Sequence, residues 1–317
     1  MPGVHRDGID EARLVGLARD LAATGFAVVT VAAPDLQRFR ISPAVTDVVE
    51  DAVLWVSNQR DLAPDGKVGV LGVSFSGGLS IVAAGRENVR ARVAFVLSFG
   101  GHGDLARVMH YLCSGEVLSD LEEARRSRIV LGADHVGVHP PHDYGVAVVL
   151  LSVAEKVVPF DQVEPLRRGI EGFLLASSLD GVDNRQALVE FGRMRDYAET
   201  LGEPARTLMR LVNDRAVGEL GARLLPVVDR MVDDPAMPFL SPERAPATPA
   251  APVFLLHGTD DNVIPSVETV LLGEFLQGKS PVHGLLSGLI THAEVNRAPT
   301  ATEAWRLASF WRQVLEN

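Results

Sequence analysis

The feature that most constrains the fold is the stretch 67–80, Lys67-Val-Gly-Val-Leu-Gly-Val-Ser-Phe-Ser-Gly-Gly-Leu-Ser80. Val68 to Val73 is a short apolar run rich in β-branched residues, set off upstream by the turn-like Ala63-Pro64-Asp65-Gly66. It predicts a buried strand. Beyond Gly72-Val73-Ser74-Phe75-Ser76-Gly77-Gly78, the residues Leu79, Ile81, Val82, Ala83 and Ala84 predict a helix. A strand, a tight glycine-flanked turn with serine at its apex, and a helix form the context in which a serine hydroxyl is lifted clear of a sheet. The same turn aims backbone N–H groups and a helix N-terminus at one spot, where an oxyanion would be stabilised. The pattern is G-x-S-x-S-G rather than G-x-S-x-G. Ser76 stands where a glycine would let the helix pass close to the sheet, and serine is the next smallest polar choice. Taken alone, Gly-x-Ser followed by glycines also fits an ordinary strand-to-helix loop or a phosphate-binding turn.

The flanking sequence places this unit in an alternating pattern. Ile9, Leu14, Leu17, Ala18 and Leu21 recur at helical spacing up to Gly25, and Phe26-Ala-Val-Val-Thr-Val31 reads as a strand. Ser42-Pro43 opens a second helix whose apolar stripe is Val45, Val48, Val49, Ala52, Trp55 and Val56. Val93-Ala-Phe-Val-Leu97 is a further strand, running into Gly100-Gly-His-Gly-Asp104. Such alternation predicts an α/β fold, a mostly parallel sheet with helices on both faces. From Asp104 to Ala250 the pattern breaks into mainly helical periodicity and ends in the proline-rich Pro242–Pro252. Alternation then resumes with Val253-Phe-Leu-Leu256, a helix over 266–277, a strand over 282–286 and a last helix opened by the capping box Thr300-x-x-Glu303. That helix is expected to bury Ala304, Leu307, Ala308, Trp311, Val314 and Leu315. The expected organisation is a core of residues 1–103 and 251–317, with residues 104–250 inserted as a helical cap.

Composition narrows the function. The net charge of −11 argues against nucleic acid and anionic membrane surfaces as partners. No apolar run reaches the ~18 residues of a membrane span. The lone Cys113 excludes an internal disulfide and fits a reducing, cytoplasmic setting; it reads as a small buried hydrophobe.

Two further segments bring chemistry to the serine. Asp260 and Asp261 follow the strand at 253–256, and His292 follows the next strand. The order Ser74, Asp261, His292 is that of one arrangement of the Ser-His-Asp triad, with each residue just past the carboxyl end of a strand. On Gly72-Val-Ser-Phe-Ser-Gly-Gly78, His257-Gly-Thr-Asp-Asp-Asn-Val-Ile-Pro265 and Thr291-His-Ala-Glu294, the chain resembles the α/β-hydrolase superfamily. The resemblance covers 1–103 and 251–317 and not the insertion. The second segment is similar to that family's H-G-x-x-D-x-x-[VI]-P acid loop, which points to Asp261 over Asp260. The resemblance implies a serine hydrolase of carboxylic esters, esterase-like, working through an acyl-enzyme with no cofactor and no metal. Ser74 would be the nucleophile in a nucleophile elbow, His292 the general base and Asp261 the acid that orients it. The N–H of Phe75 would form one half of the oxyanion hole. Pro2-Gly3-Val4-His5 is similar to the family loop that supplies the other half, so Val4 is the second donor, with His5 beside it.

The family also places a central strand just before that loop, between the strands expected at 26–31 and 68–73. This sequence does not contain it, so a gap in the sheet is expected there. A start truncated relative to a longer natural form is expected with it.

The remaining histidines have plainer readings. His102 and Asp104, at a strand's carboxyl end, fit either a substrate-pocket wall or a plain loop. His257 steers the acid loop, and His283 is a strand residue. His135, His139 and His142 lie among prolines, with no cysteine or carboxylate completing a metal set. The apolar run 146–153 is cap core, of a kind suited to an apolar acyl or alcohol group. Peptidase, lactonase and acyltransferase chemistry would use the same triad. A non-catalytic hydrolase-fold binding protein is the alternative from another class. The natural ester and the oligomeric state stay open.

Overall fold

The computed structural model describes residues 1–180, 183–290 and 300–317. Five strands form one sheet: β1 (Val68–Val73), β2 (Val93–Phe99), β3 (Val130–Leu131), β4 (Val253–Gly258) and β5 (Val282–Ser287). Their order is β1-β2-β4-β5-β3, and every pair is parallel. Parallel strands need covered crossovers, and helices supply them on both faces. Of these, α1 (Ala12–Ala23) and α2 (Pro43–Ser57) precede β1, and α3 (Phe75–Gly85) follows it. The insertion carries α4 (Leu105–Ser114), α5 (Gly145–Val157), α6 (Phe160–Leu179), α7 (Asn184–Glu199), α8 (Ala205–Asn213) and α9 (Val217–Val228). α10 (Val267–Leu276) joins β4 to β5, and α11 (Ala301–Leu315) closes the chain.

The strand period of two sorts the sheet's side chains into two cores. Val70, Val93, Val96, Val253 and Leu255 pack with Val49 and Val53 of α2, Ile81 and Ala84 of α3, and Leu272 and Leu276 of α10. Leu97, Phe254, Leu256 and Leu285 point the other way, to Phe310 and Val314 of α11. A third and larger cluster is built from the helices of the insertion. Within it the run at 146–153 forms the inner length of α5, with every apolar side chain from Val146 to Leu151 buried. Phe75, Leu79, Val263 and Ile264 join that cluster, so the insertion rests on the segments that follow β1 and β4.

Four sequence expectations need correction. Phe26–Val31 belongs to no strand. A strand exists through its ladder, and here a cavity of about 300 Å³ is lined both by 26–31 and by Val68 to Leu71 of β1. This is where the gap in the sheet was expected. Phe26, Val28 and Val29 are each more than a third exposed as a result. In α2, Val45 and Val49 are buried as expected, but the stripe continues through Val53 and Ser57, with Thr46 beside it, while Trp55 faces solvent. In α11 the capping box forms as expected, but Phe310 and Val314 are the buried pair and Ala304 and Ala308 are exposed. Finally, the insertion contributes a strand: Val130–Leu131 pairs with Gly284 and Leu285 of β5 at the sheet's edge. Two residues between Arg128 and Gly132 carry no periodicity from which to foresee it.

Candidate active site

β1 ends in the turn that carries Ser74. Ser74 has φ 57° and ψ −134°, a backbone conformation that L-residues rarely adopt. Strain of this kind costs about 1–3 kcal/mol and persists only where the surroundings over-determine it. Here they do. Ser74 N–H donates to Phe99 O of β2 at 2.7 Å, and its carbonyl accepts from Gly77 N–H at 2.8 Å. Ser76 Oγ accepts from Val73 N–H at 2.8 Å and reaches Val73 O at 2.8 Å, closing the turn from inside. Serine at position 76 is thus a fully buried turn-lock, which a glycine could not provide. Close approach explains the flanking glycines. A Cβ on Gly72 would stand 2.3 Å from Ser76 O, and one on Gly78 would stand 2.6 Å from His102 O. Ser74 itself is half-buried, within reach of a small molecule.

The first turn of α3 leaves backbone N–H groups without intrahelical acceptors, beginning with that of Phe75. These groups and the positive end of the helix lie beside Ser74. The N-terminal segment passes the same place: a Cβ on Gly3 would stand 3.4 Å from Ser74 Cβ. Val4 follows and packs, partly buried, on the cluster that contains Phe75. His5 turns back on its own loop, where its Nδ1 accepts from Asp7 N–H at 3.2 Å.

Asp261 is 4% exposed and shaped by its own loop. Its Oδ1 accepts from Val263 N–H at 2.8 Å and Ile264 N–H at 3.0 Å, and its Oδ2 lies 3.2 Å from His257 Nε2. The His257 ring is fully buried; its Nε2 is 2.9 Å from Ile264 O and its Nδ1 2.7 Å from Thr269 Oγ1. It therefore ties the acid loop to α10, the steering role read from the sequence. Asp260, in contrast, is exposed and bonded to Thr259.

The sheet order puts Ser74 and Asp261 on either side of β2. Between them lies Gly100, which has φ +64° and whose Cβ would stand 3.6 Å from Asp261 Oδ2. Its N–H donates to Leu256 O of β4 at 2.7 Å. Two strand spacings amount to ~10 Å, a gap that an imidazole bridging a hydroxyl and a carboxylate spans. The loop after β5 approaches from the far side, with Ile290 O against Gly258. His292 comes two residues later and lies outside the described residues.

The other histidines are placed as follows. His102 has no exposed surface; its Nε2 donates to Leu240 O at 2.7 Å and its ring lies 5.6 Å from that of Phe75. Burial lowers its pKa to about 4, so it is neutral, and it braces the serine turn from within instead of lining a substrate pocket. The 135–142 loop docks on the acid loop: His142 N–H donates to Asn262 O at 2.8 Å, and His139 Nε2 is 3.8 Å from Asp260. Tyr111 of α4 holds this loop by donating to His139 O at 2.8 Å. Among the described residues, no three His, Cys, Asp or Glu side chains cluster to hold a metal ion. Cys113 is buried, as expected, and burial raises its pKa to about 12.

Sequence reasoning missed a buried ionic knot where the insertion leaves and re-enters the sheet. Glu268, fully buried in α10, accepts from Gly103 N–H at 2.9 Å, Asp104 N–H at 3.1 Å and Arg107 Nε at 2.5 Å. Arg107 also reaches Glu243, and Arg244 binds Asp104 at 2.6 Å. Burial alone would lower the pKa of Arg107, but the carboxylates of Glu268 and Glu243 overcome it and hold the guanidinium charged. The only signal available was one carboxylate in the otherwise apolar run Val267-Glu-Thr-Val-Leu-Leu272.

No known protein family, curated protein or solved structure matches this chain. Among the described residues, no helix is long and apolar enough to cross a membrane.

Proposed function

We propose that the protein is a serine hydrolase of the α/β-hydrolase kind that cleaves carboxylic esters, with residues 104–250 as its cap. The observation that carries this reading is the left-handed backbone of Ser74, at the end of β1 and the start of a buried helix. A strained serine held by its neighbours is what an activated nucleophile requires and an ordinary connecting loop does not. The placement of Asp261 two strands away supports it, as does the passage of Gly3 and Val4 beside Ser74.

In this reading Ser74 Oγ attacks the ester carbonyl carbon while His292 takes its proton. The oxyanion is met by the N–H of Phe75 and, from the other side, that of Val4; loss of one such donor typically costs ~3 kcal/mol of transition-state stabilisation. The C–O bond then breaks, the alcohol leaves with the proton from His292, and a water activated by the same imidazole releases the acid. Asp261 keeps the imidazole in the productive tautomer.

The test is labelling with a fluorophosphonate probe followed by peptide mapping. A single adduct on Ser74, abolished in His292→Ala and Asp261→Asn, is the expected result. A folded protein that takes no adduct, or takes it elsewhere, would refute the reading.

A further inference from the structure

On the serine-hydrolase reading, on which the inference rests, we propose that Tyr144 of the cap is a substrate-binding residue whose hydroxyl donates a hydrogen bond to an acceptor oxygen in the alcohol portion of the ester. Tyr144 stands immediately before α5, at the end of the loop that docks on the acid loop. Next to Asp261, Asn262 O accepts from His142 N–H at 2.8 Å, and the rings of His142 and Tyr144 lie 4.3 Å apart. Tyr144 also packs, partly buried, on the cluster that contains Phe75, Val263 and Ile264, just beyond Ser74 and Asp261. Its phenol is thus held over the carboxyl edge of the sheet, on the Asp261 side of Ser74, and both Asp261 and Arg13 of α1 act on it electrostatically.

Two phenols in this region feel the Asp261 carboxylate. That of Tyr111 is committed to the loop, donating to His139 O at 2.8 Å. That of Tyr144 keeps accessible surface and has no hydrogen-bond partner among the described residues. Burial and then Asp261 raise its pKa, outweighing Arg13, so the hydroxyl stays a proton donor in neutral solution. A half-buried donor with no protein partner is completed by an acceptor on a ligand.

The position of the phenol selects the part of the substrate. The oxyanion is met by the N–H groups of Phe75 and Val4, whereas the imidazole that links Ser74 to Asp261 hands its proton to the leaving oxygen. The alcohol portion therefore extends toward Asp261 and Tyr144. With the apolar α5 directly after the phenol, the fitting alcohol is a short apolar chain that carries one ether or carbonyl oxygen. A site built to bond such an oxygen discriminates against the analogue that lacks it.

The experiment uses the full 317-residue chain and two esters of equal length, methoxyethyl butyrate and butyl butyrate, in which an ether oxygen replaces a methylene of the alcohol. Acid release at constant pH gives kcat/KM for each. In Tyr144→Phe the ratio of the methoxyethyl to the butyl ester is expected to fall at least about fivefold from its value in the parent, the loss of one hydrogen bond to substrate. A general loss of folding or reactivity cancels in this ratio. In Tyr111→Phe, which removes a bond within the loop, both esters should change alike. An unchanged ratio in Tyr144→Phe, or an equal shift in Tyr111→Phe, would overturn the contact while hydrolysis by the parent upholds the serine-hydrolase reading. A parent that takes the fluorophosphonate at Ser74 but cleaves neither ester would overturn the inferred ester class alone. A folded parent that takes no adduct and cleaves neither ester would overturn both.

Discussion

On its β2 side, β1 is paired from Val68–Val93 to Val73–Phe99, and its carboxyl end is wrapped by α3, by the 100–104 loop and by the turn-lock of Ser76. On its other side, among the described residues, the Met1 amino group donates to Leu71 O, and a cavity lined by Val68 to Leu71 adjoins it. The same strand therefore has one side with a paired strand and a close-packed turn, and one where apolar side chains are left partly in water. The comparison explains why the candidate site holds a strained serine. Strain is retained where packing over-determines the backbone, and the bonds that fix Ser74 come from β2 and the first turn of α3. It also predicts that substitutions on the two sides differ in cost by an order of magnitude.

The largest effect is expected at Gly72. An alanine there would place its Cβ 2.3 Å from Ser76 O, a backbone atom with nowhere to move. Gly72→Ala should lose about 3 kcal/mol or more, at or beyond the upper end of overpacking costs, and should abolish probe labelling at Ser74 as the turn opens. A urea midpoint within error of the parent would show that the tight side is looser than its contacts imply.

The next effect is on pH dependence. His102 holds a folded pKa of about 4 against an ordinary 6.5 because it is buried. A base whose pKa is lowered by folding is neutral in the folded chain, while the unfolded chain takes up the proton. Stability therefore falls as pH drops from about 6.5 to about 4 and is not reduced further by this group below that. The slope from one such group is at most about 1.4 kcal/mol per pH unit. In His102→Gln, whose amide keeps a donor for Leu240 O, the parent's loss of stability across this window should shrink. Chemical denaturation at pH 6.5, 5.5 and 4.5 reads it, and parallel profiles for parent and variant would place His102 in a wetter setting.

How far the sequence foresaw all this differs between the two sides for a physical reason. The strand, the turn and the helix around Ser74 are local, so glycine positions and β-branched runs announce them. The acid loop is likewise legible, because His257, Asp261 and Ile264 bond one another within eight residues. What depends on distant partners was not legible. Phe26–Val31 has the pattern of a strand but lacks a neighbour to pair with, and propensity cannot supply a ladder. His102, at a strand's carboxyl end, fitted a pocket wall or a plain loop, yet Leu240 and Gly78, from other segments of the chain, enclose it. The Glu268–Arg107–Glu243 knot joins three segments that no spacing relates.

A smaller effect, of opposite sign, is expected at the serine itself. Ser74→Gly removes both the hydroxyl and the Cβ that makes φ 57° costly. Relief of the strain, partly offset by the greater freedom of an unfolded glycine, should raise stability by about 1 kcal/mol while ending probe labelling. A stabilised, unreactive variant is the signature of strain held for function. A destabilised one would mean that the serine side chain contributes packing that its contacts do not reveal.

The smallest effect belongs to the open side and tests the comparison most directly. Val29 lines the cavity beside β1 and is 40% exposed, more than the core valines of the sheet. Val29→Ser should therefore change stability by no more than about 0.5 kcal/mol, the range for surface positions, although the same change in the paired core would cost several times that. If thermal or urea midpoints fall by much more, Val29 is packed more tightly in solution than its exposure implies. A near-silent Val29→Ser beside a disruptive Gly72→Ala would establish that β1 is packed tightly on one side and loosely on the other.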